Sequence, residues 1–177
     1  MGMISLENGG FVLPANNNNN AKSAKLIGYV RLENRDDIYI SDQNSDIETF
    51  ASKQNLELYS IEHEISTGTQ LMRVGVFKAL RMVACTECEP KQMPLTDMYD
   101  YWFTEALKPC FCKVPRPADG LIVDEISILS TTPSQGARFT LDMCVAKKHV
   151  YVVKEKRCLS CCNPQAIEFL KRKMLGG

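Results

Sequence analysis

The amino-acid sequence predicts an α/β protein in which a mostly parallel sheet is covered by helices on both faces, a three-layer α/β/α arrangement. Apolar runs of strand composition alternate along the chain with segments of helical periodicity, and residues that begin or end helices flank the helical segments. This alternation favours parallel pairing, because a crossover helix returns the chain to the same edge of the sheet. The 177 residues, 45% of them hydrophobic, suffice for one globular domain.

The first half of the predicted domain is strand, helix, strand, helix. Residues 25–32, KLIGYVRL, have the composition of a strand buried on both faces. Ser45 and Glu48 form a capping box that predicts the start of the first helix. Asn55, a residue type that often adopts the left-handed conformation, is predicted to end it. Residues 56–65 are predicted to form the second strand. The second helix is predicted from apolar residues at helical spacing, Val74, Phe77, Leu80 and Val83.

The second half continues the alternation. Residues 119–128 predict a third strand, and residues 149–155 predict a fourth. Between them, the sequence TPSQ predicts a helix with Thr132 as its N-cap, running to about Lys148. Asn163 and the proline after it predict the start of a last helix.

Composition divides the chain into a core domain and its appendages. Residues 1–24 are polar and of low complexity, which predicts a flexible tail. The α/β domain is predicted over residues 25–155, and residues 156–177 are predicted to form a short helical extension. Within the domain, residues 85–118 hold five of the eight prolines and interrupt the pattern, so we predict an insertion there.

The overall charge argues against a protein-wide positive field that would attract nucleic acid or an anionic membrane. Lysine plus arginine and aspartate plus glutamate number 21 each, and the isoelectric point is near 6.7. Contact with nucleic acid must therefore be local. We find neither an apolar run of the roughly 20 residues that span a membrane nor a signal-peptide pattern at the N-terminus. We therefore expect a cytoplasmic protein without a membrane partner.

Four segments in order carry a family resemblance. They are IGYVR at 27–31, STGTQLMRVGVFKAL at 66–80, DGLIVDEISILS at 119–130 and HVYVV at 149–153. Together they resemble the catalytic domain of the serine recombinases, the resolvase and invertase family. The resemblance implies a nearly parallel sheet with helices on both faces, dimers and tetramers, and DNA strand exchange through a covalent phosphoserine.

When the family's site residues are matched one by one to this sequence, part of the family's catalytic site is present. The family's first-strand arginine, the acidic residue after its second strand, its small hydroxyl and the arginine opening its second helix match Arg31, Glu64, Thr67 and Arg73. The nucleophilic serine falls on Glu33. The two matched arginines either bind phosphate or form ion pairs with Glu33 and Glu64. We favour pairing, because the introduced glutamate supplies a partner for a charge that would otherwise lie unpaired.

The family's Asp-Arg-Leu-Ser-Arg signature is also altered. Its aspartate falls on Ser127, and its two arginines fall on Ile128 and Thr131. A glutamate facing a phosphate at 4 Å costs about 4 kcal/mol at an effective dielectric constant of 20. Loss of one preorganised donor typically costs on the order of 2.7 to 4 kcal/mol of transition-state stabilisation. The sequence therefore favours a catalytically degenerate domain, a pseudoenzyme that acts as an interaction or regulatory module.

Two alternative functions stay open. One is an active recombinase of the resolvase and invertase type that forms a phosphoserine intermediate through a displaced nucleophile such as Ser41 or Ser127. The other is a zinc-stabilised adaptor whose insertion carries the binding surface.

Cysteine pairs in the insertion predict a structural zinc site. Cys85 and Cys88 have the spacing of a zinc knuckle, and Cys110 and Cys112 form a second pair. The second helix ends and the third strand begins at the same edge of the sheet, so the two pairs can meet there. The alternative is four free thiols, favoured by the one-residue gap of the second pair. Cys144 is predicted to lie in the core.

Aromatic residues in the insertion predict an interaction surface, Tyr99, Tyr101, Trp102 and Phe103. The alternative is that this stretch folds back over the edge of the sheet. We expect a protein partner or self-association. DNA association is open, but not through a dedicated DNA-binding domain, because the chain after the fourth strand is too short for a helix-turn-helix module and a linker.

Overall fold

The computed structural model describes six stretches of the chain, residues 23–32, 39–66, 74–84, 117–130, 132–159 and 164–175. They contain five strands, β1 (Lys25–Leu32), β2 (Glu57–Ile65), β3 (Gly120–Val123), β4 (His149–Val152) and β5 (Arg157–Leu159). They also contain four α-helices, α1 (Tyr39–Lys53), α2 (Val74–Val83), α3 (Pro133–Val145) and α4 (Pro164–Met174). A single turn of 3₁₀ helix, Ile126–Ile128, lies between β3 and α3.

The strands form one sheet in the order β2-β1-β3-β4-β5. The first four strands are parallel, with Leu26 of β1 opposite Gly120 of β3, and β5 is antiparallel to β4. This confirms the predicted α/β class with a mostly parallel sheet. The sequence analysis did not predict β5. It follows a tight turn in which Lys156 adopts a left-handed conformation with φ 49°.

Apolar side chains pack on both faces of the sheet. The larger cluster lies under α2, α3 and α4 and includes Tyr29, Leu80 and Phe139. The smaller cluster lies under α1 and includes Val30 and Ile47. The predicted three-layer arrangement is therefore present, because each amphipathic helix buries its apolar side against the sheet.

The predicted face of α2 is correct in part. Leu80 and Val83 are fully buried, whereas Phe77 is half-buried and Val76 and Ala79 take inner positions as well. The buried stripe is therefore rotated from the predicted one. Cys144 on α3 is fully buried, which confirms its assignment to the core.

Three predicted boundaries are wrong, and one of them is the end of the fourth strand, which lies at Val152 instead of residue 155. The helix α1 begins at Tyr39, not at Ser45, which lies exposed inside the helix. The predicted end at Asn55 is correct, since this residue is left-handed with φ 54°. The strand β3 ends at Val123 instead of continuing to residue 128, because the chain turns there into the 3₁₀ helix.

Among the described residues, the helices are all too short or too polar to cross a membrane.

Candidate functional site

The matched family positions that the structure describes lie at or after the ends of parallel strands. Arg31, near the end of β1, stands opposite Glu64 in the register of β1 and β2. Ligand sites of parallel α/β sheets form at this carboxyl edge. Four of the matched family positions lie outside the described residues, Glu33, Thr67, Arg73 and Thr131.

Arg31 is held by the backbone at the end of β2. Its side chain is almost fully buried, with 8% of the residue exposed. Its Nε donates a hydrogen bond of 3.0 Å to the carbonyl oxygen of Ser66. Part of the guanidinium is therefore engaged by the protein's own backbone. The predicted pairing of Arg31 and Arg73 with Glu33 and Glu64 stays a prediction.

Glu64 is fixed from two sides. Its Oε2 accepts a hydrogen bond of 2.5 Å from the hydroxyl of Tyr29, which is fully buried. On the other side, a Cβ atom at Gly75 in the first turn of α2 would lie 2.7 Å from the Cβ of Glu64. Only glycine permits this close approach. It also brings the carboxylate to the positive end of the α2 dipole.

The signature segment contributes to the core. Ile128, at the position of the first signature arginine, is 7% exposed and belongs to the larger apolar cluster. Its neighbour Ser127 is exposed. Helix α3 packs closely on this turn, since a Cβ at Gly136 would lie 2.9 Å from the carbonyl oxygen of Ile126. The isoleucine thus supplies packing at a position where the family resemblance implies a cation.

The same segment begins helix α3. Thr132 is the N-cap, as predicted, but its side chain makes no capping hydrogen bond. Instead, the fully buried Ser130 accepts a hydrogen bond of 3.2 Å from the amide of Thr132. The Ser130 hydroxyl donates to Oε1 of Gln135 at 3.0 Å. The predicted capping box is therefore wrong, because the Ser130 hydroxyl links the Thr132 amide to the Gln135 side chain instead.

The two displaced nucleophiles considered above are exposed. Ser41 lies in the first turn of α1, and its hydroxyl is 3.5 Å from Oδ1 of Asp42. Ser127 lies in the 3₁₀ turn. The carboxylate beside Ser41 places negative charge next to the hydroxyl, which opposes approach of a phosphate.

An ion pair between a buried carboxylate and an exposed lysine at the same edge was not predicted. Asp124, directly after β3, is 3% exposed, and its Oδ2 lies 2.9 Å from Nζ of Lys154, after β4. The hydrogen bond to Asp124 raises the pKa of the Lys154 amine. Oδ1 of Asp124 is buried without a hydrogen-bond partner in the described part of the chain. The sequence shows an aspartate after the third strand and a lysine after the fourth, but it does not show that these strands are neighbours, which the pair requires.

The histidines lie away from this edge or on the surface. His149 begins β4 at the opposite edge, and burial lowers the pKa of its imidazole, which favours the neutral form. His63 on β2 is exposed, and its Nε2 lies 3.0 Å from Oδ1 of Asn44.

The predicted zinc ligands and the predicted interaction residues lie outside the described residues, Cys85, Cys88, Cys110, Cys112, Tyr99, Tyr101, Trp102 and Phe103. Within the described stretches, no group of three or more His, Cys, Asp or Glu side chains is arranged to hold a metal ion. Structural zinc in the insertion therefore stays a prediction.

The zinc prediction is tested by elemental analysis. We expect protein purified without chelator to carry about one equivalent of zinc, and Cys88→Ser to lower both metal content and melting temperature, because metal binding is coupled to folding. Cys158→Ser is the matched control, since Cys158 lies in β5 outside the insertion. A metal-free preparation in which the four insertion thiols all titrate freely would contradict the prediction.

Comparison with known proteins supports the fold assignment. No family model matches the chain, and no curated protein matches it. Among solved structures, the fold is similar to that of the N-terminal catalytic domain of TP901-1 integrase, with a TM-score of 0.52 and 13% sequence identity. The match covers 85% of this chain and 92% of that one. The chain thus has a serine-recombinase-like fold.

Proposed function

We propose that this chain is a catalytically degenerate serine-recombinase-like domain that acts as an interaction or regulatory module and does not cleave DNA. The burial of Ile128 carries the proposal. The position of the first signature arginine is occupied by a side chain that packs in the core. The isoleucine cannot stabilise the charge that develops on a phosphate during transfer.

The other matched positions support the same conclusion. Glu33 stands in the sequence where the nucleophilic serine is expected, and a carboxylate there repels the phosphate. Arg31 is buried and donates to a backbone oxygen. Ser130 of the signature segment is committed to the start of α3. Arg31 and Ser130 thus make contacts within the fold that compete with a role in phosphoryl transfer.

The proposed module binds a protein partner or a second copy of itself. The aromatic residues of the insertion, with Trp102 among them, are the residue types enriched at interfaces. Zinc in the insertion would stabilise such a surface, and local DNA contact is compatible with the same role.

A DNA cleavage assay tests the proposed loss of catalytic activity. Incubated with supercoiled plasmid, the protein is expected to give no nicked product and no covalent protein-DNA adduct. Glu33→Ser is expected to be inactive as well, because Ile128 and Thr131 still supply no positive charge. An active serine integrase on its own substrate serves as the positive control for the assay.

A covalent adduct formed by the unmodified protein would overturn the proposal. Mass spectrometry of the adduct would then identify the linked serine. Loss of the adduct in Ser41→Ala or in Ser127→Ala would assign the displaced nucleophile and establish the active-recombinase alternative.

A further inference from the structure

A groove lies between the end of α1 and the start of β2. Its volume is about 420 Å³, and the described residues that line it are Glu48, Ala51, Ser52, Asn55, Leu56 and Leu58. Since a cavity of about 150 Å³ holds a benzene ring, this space accommodates an aromatic ring together with a smaller aliphatic side chain. The groove is therefore large enough for a short apolar segment of a polypeptide.

The floor of the groove is apolar, and its rim is polar. Ala51 is buried, and Leu56 and Leu58 are half-buried against the smaller apolar cluster. The side chains of the rim are exposed, Glu48, Ser52 and Asn55. A segment that covers the two leucines removes apolar surface from water, and the rim offers hydrogen bonds to its backbone. The groove therefore suits an apolar segment of chain.

The chain enters β1 beside this groove. The amide of Glu57, which lies between the two groove leucines, donates a hydrogen bond of 3.0 Å to the carbonyl oxygen of Ala24. Ala24 packs against the same apolar cluster, and Lys25 stands opposite Glu57 in the register of β1 and β2. Neighbouring strands lie about 4.8 Å apart, so the segment before Ala24 is attached close to the floor of the groove.

Residues 1–22 lie outside the described residues, and their sequence contains one short apolar run. Phe11, Val12 and Leu13 are the only three consecutive large apolar residues in this segment. The linker that follows them, residues 14–22, reads PANNNNNAK. From Leu13 to Ala24 the chain advances eleven residues, and a flexible chain of this length spans roughly 17 to 20 Å. The linker is therefore long enough for the apolar run to reach the groove.

We infer that Phe11, Val12 and Leu13 dock in the groove, so that the N-terminal segment of the chain covers the groove leucines. Covalent attachment favours this occupant over a separate molecule, because a short flexible linker gives an effective concentration in the mM range. An intrinsic Kd of about 1 mM then suffices for substantial occupancy. Docking holds only the apolar run, and the linker keeps the polar composition from which we predict flexibility.

The docked segment regulates access to the groove. A partner that uses the groove must first displace the apolar run, so its apparent affinity is lowered by the fraction of chains in which the groove is covered. The inference goes beyond the proposed function and does not depend on the loss of DNA cleavage.

A tryptophan probe in the full-length chain tests the docking. Trp102 is the only tryptophan, so Phe11→Trp in the Trp102→Phe chain places a single tryptophan in the N-terminal segment. We expect this probe to emit at shorter wavelength, and to be quenched less by acrylamide, than a linker probe made by Asn17→Trp in the same background. The linker probe reports a tryptophan that is attached to the same chain but is not docked.

Changes in the groove should release the probe at position 11. Leu58→Ser removes part of the apolar floor, and Ser52→Glu places a second carboxylate one helical turn from Glu48. Each variant should raise the quenching of the probe to that of the linker probe. Lys78→Glu on α2 is the matched control, because this exposed lysine lies on the helix that covers the other face of the sheet, and it should leave the quenching unchanged.

Circular dichroism checks that each groove variant is folded. Ser52→Glu changes an exposed side chain, so it keeps the test decisive if Leu58→Ser unfolds the domain.

Three outcomes would overturn the inference. Equal quenching of the two probes would show that the apolar run does not dock. Protection that survives in a folded groove variant would place the run elsewhere. Protection that is lost on dilution from about 100 µM to about 1 µM would assign the groove to a second copy of the chain. DNA cleavage by a chain with a docked segment would remove only the proposed function, whereas an undocked segment in a chain without cleavage would remove only this inference.

Discussion

Replacing Ile128 with arginine is expected to lower the free energy of unfolding by about 3 to 5 kcal/mol, the cost of an uncompensated buried charge. Ile128 is 7% exposed and packs in the larger apolar cluster, so a guanidinium there loses water without gaining a partner. Urea denaturation measures the change. The substitution restores one arginine of the family signature, yet we expect no DNA cleavage from it.

Two controls define what the Ile128 result means. Ile128→Val keeps the site apolar and should cost about 0.5 to 1.5 kcal/mol. Ser127→Arg adds the same charge at an exposed neighbour and should change stability by less than about 0.5 kcal/mol. If Ile128→Arg were as stable as the wild type, the side chain would reach an open surface where a cation could act, and the proposed loss of cleavage would lose its main support.

Replacing Gly120 with alanine is expected to destabilise the fold by more than about 3 kcal/mol, beyond the usual cost of overpacking a core. A Cβ atom at this position would lie 2.1 Å from the carbonyl oxygen of His149. That oxygen belongs to the backbone of β4, which pairs with β3, so relief requires the two central strands to separate. Circular dichroism and thermal denaturation measure the loss.

Gly28→Ala is the matched control for this substitution. Gly28 also lies in a central strand, but its added Cβ would meet the side chain of Ile61 at 2.9 Å. A half-buried side chain can move, so we expect a smaller loss of about 1 to 3 kcal/mol. If Gly120→Ala melted within a few degrees of the wild type, the close approach of β3 and β4 would be incorrect.

The order of strands and helices could be predicted because local patterns determine it. The first strand was predicted over the same residues that the structure gives, because this run of apolar, strand-forming residues shows no helical periodicity. Features that depend on distant contacts were missed. Strand β5 has three residues and exists through its pairing with β4. Ser45 has a capping pattern, but α1 begins earlier, at Tyr39, and Asn44 in this added part of the helix contacts His63 of β2.

The candidate site was predictable to a similar degree. The motif placed Arg31 and Glu64 near each other, and the strand register confirms their proximity. The sequence identified Ile128 as a departure from the signature but could not show that its side chain points inward. The pairing of Asp124 with Lys154 was missed, because it depends on β3 and β4 being neighbours in the sheet.

The register of the central strands has a consequence for protein synthesis. Leu26 of β1 pairs with Gly120 of β3, so the buried strand β1 has one neighbour missing until the ribosome has made and released the chain beyond residue 123. The whole of residues 85–116 is translated during that interval. Long-range parallel pairing is slow to form, and an unpaired apolar strand is prone to aggregate. Slower elongation through this stretch should therefore lower the yield of folded protein in cells that lack chaperones able to cover β1.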